Sequence, residues 1–166
     1  ETSSRWVAPV TRVFAYASKL VPKRKDPESN EKVRVGTPDS VQVLTSHKDG
    51  SIGSYRLSGV VWHDLGNTIA LYGSAGTLIY DLTRDEIRGA QSHESELHPL
   101  PIPDSLRGGW QVEADFIAAI RGERPIVHTD FATGVRYMQF TEAVARSSRH
   151  QGPVELPLRE FSNPSL

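Results

Sequence analysis

The stretch from Asn67 to Leu82, NTIALYGSAGTLIYDL, sets the narrowest limit on what this chain can fold into. Two alternating apolar runs, Thr68 to Tyr72 and Thr77 to Leu82, flank Gly73-Ser74-Ala75-Gly76. Glycine reaches backbone angles that a tight antiparallel reversal needs and that side chains resist, so the segment predicts a β-hairpin. A hairpin leaves unpaired backbone at its edges, and the neighbouring segments have to pair with it or cover it.

Upstream, Val13, Ala15 and Ala17 alternate with Phe14, Tyr16 and Ser18, which predicts a strand within Val10 to Leu20 with one buried face. The segment Val21 to Asn30 combines two prolines with five charges and reads as a long surface loop that neither pairs regularly nor buries itself. Val41, Val43 and Thr45 alternate with Gln42, Leu44 and Ser46, after which Asp49-Gly50 predicts a two-residue hairpin turn. The return strand runs along Ser51 to His63, with Tyr55, Leu57, Gly59 and Val61 on one side and Ile52, Ser54, Arg56, Ser58, Val60 and Trp62 on the other. Gly53 and Gly59 mark a bulge or a close approach of another backbone. Ile87 to Ser92 predicts one more strand, and Glu94 to Arg107 is too rich in proline for more than a short edge piece.

Two helices follow. Val112, Phe116, Ile117 and Ile120 form one apolar stripe that stops at Gly122. Phe131, Val135, Met138 and Val144 line a second helix from about Asp130 to about Arg149, capped by Thr129 or Asp130 and ending near Gly152-Pro153. The expected architecture is α+β: a largely antiparallel, open-faced sheet of about six strands with two main helices packed on one face, in one domain spanning residues 1–166.

With 19 basic and 20 acidic side chains and a net charge of -1, the chain as a whole has no electrostatic pull toward nucleic acid or an anionic membrane, and neither is expected as a partner. The absence of cysteine excludes disulfides, thiolate metal sites and cysteine nucleophiles. The apolar runs fall short of the ~20 residues of a membrane-spanning helix. Glu-Thr-Ser-Ser has neither the basic start nor the apolar core of a secretory signal, so the expected compartment is the cytoplasm, and a first residue other than methionine reads as a cut piece of a longer polypeptide.

A dinucleotide site requires a glycine-rich turn between a strand and a helix. Gly50-Ser51-Ile52-Gly53 and Gly73-Ser74-Ala75-Gly76 join strand to strand and lack the GxGxxG spacing, so no cofactor site is expected in this chain. His93, His98, His128 and His150 show no ligand spacing such as HxxxH, and no GxSxG elbow occurs, so neither a metal nor a nucleophilic serine is expected. His63, in Trp62-His63-Asp64, is a candidate for proton transfer or substrate contact, set against a strand-end histidine bonded to backbone or water. His47 with Asp49 reads as turn chemistry. Lys23-Arg24-Lys25 suits a sugar acid or a cofactor phosphate from a neighbouring domain, set against a solvated loop beside Asp26 and Glu28. Arg12, Tyr16 and Lys19 are candidate substrate contacts if the first strand lines a cleft.

Three segments carry a further signal: "IALYGSAGTLIYDL", "VEADFIAAIRGERPIVHTDFATGVRYMQFTEAVARSS" and the closing "GPVELPL". In content and order they resemble the C-terminal domain of the glucose-fructose oxidoreductase / inositol dehydrogenase / rhizopine-catabolism family (Gfo/Idh/MocA), over roughly the last two thirds of the chain. The resemblance implies a longer NAD(P)-dependent oxidoreductase whose preceding Rossmann domain holds NAD or NADP and passes a hydride to or from a sugar, polyol or related carbonyl compound. In that family the catalytic lysine lies in a Glu-Lys-Pro segment of the Rossmann domain, and an aspartate and histidine at short spacing open the C-terminal domain. Neither motif is found here, so no catalytic residue is carried over. The implied role is a substrate-binding and oligomerisation domain, catalytically incomplete by itself, that forms a homo-oligomer through its open sheet face. Apolar side chains on both sides of the long return strand agree with such a covered face. The alternative is a non-catalytic α+β module that binds a ligand or protein on that sheet.

Overall fold

The computed structural model describes residues 2–64, 66–126 and 130–161. In chain order the strands are β1 (Val10–Ser18), β2 (Lys23–Lys25), β3 (Lys32–Arg34), β4 (Ser40–His47), β5 (Ile52–Ser58), β6 (Thr68–Gly73), β7 (Gly76–Asp81), β8 (Glu86–Gln91) and β9 (His98–Pro99). The helices α1 (Val112–Ile120) and α2 (Phe131–His150) and the strand β10 (Val154–Glu155) complete the chain. The α+β class, the antiparallel pairing and the two main helices are as expected, and the strands are distributed over three antiparallel sheets and not one. The chain divides into two compact units, residues 1–62 with 126–166, and residues 63–125.

In the first unit the sheet order is β10-β1-β4-β5. Period-two alternation places Val13, Ala15, Val43, Thr45 and His47 on one face, where all five are buried. Helix α2 lies on that face, and Ala143 joins Val13, Ala15 and Val43 in the core, with Tyr55, Phe140 and Val144 packed around them. The small side chains of Ala15 and Ala143 allow helix and strand a close approach. As a result Ser147, fully buried, accepts the Ala15 N–H at 2.7 Å, and Ser148 accepts the Ala17 N–H at 3.0 Å. β10 pairs with β1 only at Arg12 and Val13, so the two hydroxyls satisfy the part of the β1 edge that no strand covers.

The inward stripe of α2 is therefore Gln139, Ala143 and Ser147, whereas Phe131 and Met138 of the expected apolar stripe are exposed. The polar members have backbone partners: Gln139 accepts the Leu158 N–H at 3.1 Å, and the Ser147 hydroxyl donates to the Gly152 carbonyl at 2.6 Å. A pattern that counts only apolar residues misses a face held by hydrogen bonds. Asp130 caps the helix by accepting the Thr133 N–H at 2.6 Å, and Gln151 ends it in the left-handed region.

The expected loop after β1 is instead a two-stranded ribbon, β2 paired with β3. Pro22 and Pro27 fall just outside β2, where they remove no ladder hydrogen bond. Asp26 shapes the turn by accepting the Glu28 N–H and the Ser29 hydroxyl, and Asn30 takes the left-handed conformation. Every residue of both short strands is exposed, so the segment pairs but does not bury itself. Its root is held by Asp39, which accepts the N–H groups of Leu20 and Val21 at 2.8 and 2.9 Å and pairs with Arg24 at 3.2 Å. The turn between β4 and β5 has three residues, not two: the His47 N–H bonds the Ser51 carbonyl, and Gly50 has φ of 85°.

In the second unit β6 and β7 form the expected hairpin with Ser74 and Ala75 at its tip, and β8 and β9 extend it in the order β6-β7-β8-β9. Gly76 is obligatory there, since a Cβ would lie 2.2 Å from the Ala90 carbonyl oxygen. Helix α1 ends as expected, with Gly122 at φ of 71°. Its residues Val112, Phe116 and Ile120 are exposed, and Ala118 is its buried member.

Candidate functional site

Among the described residues of its own unit, no element covers the sheet face opposite α2. Its residues are Arg12, Phe14 and Tyr16 from β1, Gln42, Leu44 and Ser46 from β4, and Ile52, Ser54 and Arg56 from β5. The register sets them in three rows across the strands: Arg12, Ser46 and Ile52; Phe14, Leu44 and Ser54; Tyr16, Gln42 and Arg56. Phe14 is 43%, Leu44 and Tyr16 about 60%, and Ile52 85% exposed. The face thus combines an apolar diagonal with two arginines, a glutamine and a phenol at its margins. Chemically it can pack on another apolar surface or lay an aromatic ring against a sugar while donors meet its hydroxyls. Nothing on it is arranged for covalent chemistry.

Of the four candidate contacts, Arg12 and Tyr16 share this face. The Arg12 Nε donates to Glu155 Oε1 at 2.5 Å, so β10 orients the guanidinium. Lys19 lies beyond the end of β1 with its Nζ 3.5 Å from the Gly36 carbonyl. The return strand stops at Ser58 and not at His63 as expected, so His63 is no strand-end residue: it belongs to the second unit and is exposed in a left-handed conformation, φ 57°.

Asp49 serves the turn as expected, accepting the N–H and hydroxyl of Ser51, whereas His47 serves it with its backbone and not with its side chain. Its ring is buried, with Nε2 2.8 Å from the Thr45 hydroxyl and Nδ1 without a hydrogen-bond partner among the described residues. Sequence reasoning assigned His47 to the turn because of its neighbours. The signal that places it in the core is the i, i+2 series Val43, Thr45, His47.

Among the described residues, no group of three or more His, Cys, Asp or Glu side chains could hold a metal ion. His128 lies outside the described residues. No described helix is long and apolar enough to cross a membrane. The second unit contains a shallow cleft of about 460 Å³ lined by Arg84, Arg88, Leu100, Ile102 and Arg107. Its arginines serve the fold: Arg88 donates to the Leu97 carbonyl, and Arg107 to the Ile102 carbonyl.

Both glycine-bearing hairpin turns join strand to strand within antiparallel ladders, and the N-terminus of α2 is already occupied by the Asp130 carboxylate, where a pyrophosphate would meet like charge.

No family model matches the chain, and no curated protein matches it. Solved structures do. Levoglucosan dehydrogenase in complex with NADH and L-sorbose is 24% identical with a TM-score of 0.70, over 90% of this chain and 45% of that one. An NAD binding oxidoreductase from Klebsiella pneumoniae is 18% identical with a TM-score of 0.73, over 90% and 46%. The WlbA dehydrogenase from Bordetella pertussis, in complex with NADH and UDP-GlcNAcA, is 23% identical with a TM-score of 0.64, over 92% and 42%. The chain spans about half the length of these proteins. It has the α+β fold that they carry over that portion, which is the fold the Gfo/Idh/MocA resemblance implies.

Proposed function

We propose that this chain is the substrate-binding and oligomerisation domain of an NAD(P)-dependent oxidoreductase acting on a sugar, polyol or related compound. The observation that carries the reading is a fold match across nine tenths of the chain to about half of an NADH-bound sugar dehydrogenase. In this reading NAD or NADP is held by the remainder of the protein, and the chain is catalytically incomplete by itself. Hydride passes between nicotinamide and a secondary alcohol carbon. A lysine outside this chain manages the proton.

The role of these residues is to bind, orient and exclude water. Arg12, Tyr16 and Lys19 are the proposed substrate contacts of the first unit, Arg12 and Tyr16 on its open face, and His63 is the separate candidate of the second. A second copy of the chain covers the apolar part of that face, because water against Phe14, Leu44 and Ile52 is unfavourable. The protein is cytoplasmic in this reading, with neither nucleic acid nor membrane as partner.

The test is a titration of the complete protein, and separately of this chain, with NADH and NADPH. Saturable binding by the complete protein and none by the chain is the expected result. Failure of the complete protein to bind either cofactor overturns the dehydrogenase reading and leaves a non-catalytic module that uses the open sheet. Binding by the chain alone overturns the division of roles.

A further inference from the structure

The β2–β3 ribbon separates its side chains by face. In register, Lys23 opposes Arg34, Arg24 opposes Val33, and Lys25 opposes Lys32. The Asp26 N–H bonds the Glu31 carbonyl and the Val35 N–H bonds the Pro22 carbonyl, so these pairs, and Arg24 with Val33 between them, are the hydrogen-bonded positions. Lys23 with Arg34 and Lys25 with Lys32 are then the non-hydrogen-bonded positions, where opposed Cα atoms approach to about 4.5 Å. All four cations project from one face. The other face carries Arg24, which is tied to Asp39 at 3.2 Å, so the ribbon is held with the four-cation face turned away from its anchor.

Like charges directly opposite one another destabilise a ladder. Here two such pairs stand side by side, about 7 Å apart along the strands. None of Lys23, Lys25, Lys32 and Arg34 makes an ion pair among the described residues, and all four are exposed. Of the nearby acids, Asp26 is committed to the Glu28 N–H and the Ser29 hydroxyl and Asp39 to the root, and neither Glu28 nor Glu31 makes an ion pair with the four cations among the described residues.

We propose that the four-cation face of the ribbon binds the diphosphate group of a small molecule. Two adjacent anionic centres match a grid of two cations by two. A nucleic-acid strand or a lipid surface needs a basic track that continues, and this one is closed at the turn by Asp26, Glu28 and Glu31. Arg34 supplies a planar fork for phosphate oxygens and the lysines supply compact charges. The site shares no residue with the open sheet face.

The test is calorimetric titration of the chain with inorganic pyrophosphate, beside orthophosphate, ADP, UDP, a short oligonucleotide and vesicles of anionic lipid. Pyrophosphate, ADP and UDP are expected to bind saturably at one site per chain, with orthophosphate weaker by about tenfold. Removing one cation from each opposed pair, in the double variant Lys25→Gln/Arg34→Gln, weakens pyrophosphate by at least about tenfold, while Lys48→Gln, elsewhere on the surface, leaves it within about twofold. The double variant keeps the fold, read by circular dichroism, because both side chains are exposed. Absence of saturable pyrophosphate binding, or binding that the double variant leaves unchanged, overturns the proposal. So does tighter binding of the oligonucleotide or the vesicles than of pyrophosphate.

Discussion

Ser147 shows how much one hydroxyl can hold. It accepts the Ala15 N–H and donates to the Gly152 carbonyl, linking helix, strand and the turn after the helix. Ser147→Ala leaves a buried donor and a part-buried acceptor unpaired, and the expected loss is about 1–3 kcal/mol in a urea titration. Gly53 tests the opposite kind of change. A Cβ there would lie 2.5 Å from the Thr45 hydroxyl and 3.2 Å from the His47 ring. Gly53→Ala therefore overpacks this corner and costs about 1–3 kcal/mol, and Thr45→Ser, which removes a methyl but keeps the hydroxyl, does not rescue it. The close approach at Gly53 is made by side chains and not by another backbone as expected, and nothing lies within 4 Å of a Cβ at Gly59.

Among the elements, α2 depends most visibly on acidity. Hydrogen bonding by the Thr133 N–H holds the Asp130 carboxyl below its ordinary value, and the Arg146 guanidinium does the same for Glu142. A carboxyl whose folded pKa is depressed contributes stability above its unfolded value and loses it as pH falls through the folded one. Helix α2 should therefore weaken below about pH 4, followed by circular dichroism. Asp130→Ala should destabilise the helix at neutral pH, whereas Asp130→Asn should keep the cap and flatten the acid response. Elements with a strict period were legible in the sequence: β1, β4, the β6–β7 hairpin and both helix spans. The ribbon was not, because two prolines and a run of charge read as loop when the prolines in fact bracket the strand. The buried stripe of α2 was missed because its members are Gln139, Ala143 and Ser147, and only their backbone partners reveal them. On the open face, Arg12 and Tyr16 followed from alternation alone, but their rows with Gln42 and Arg56 required the register.

For the whole molecule, the proposed assembly is tested at the middle of the open face. Leu44→Asp puts a carboxylate in its central row without touching the core, and light scattering at micromolar concentration should then report a monomer where the unaltered chain reports an oligomer. A monomeric unaltered chain would remove the assembly role and leave the face to substrate alone.

The first unit is discontinuous, and this has a consequence for synthesis on the ribosome. β1, β4 and β5 are made by residue 58, but α2, which covers Val13, Ala15 and Val43, starts at Phe131 with the whole second unit in between. At a typical elongation rate the inner face stays uncovered for roughly 4 to 20 seconds, while the local β6–β9 meander is free to form first. The nascent chain therefore passes through a stage in which the later-written unit is folded and the earlier-written one is still a sticky half-layer, the stage at which a chaperone has most to protect.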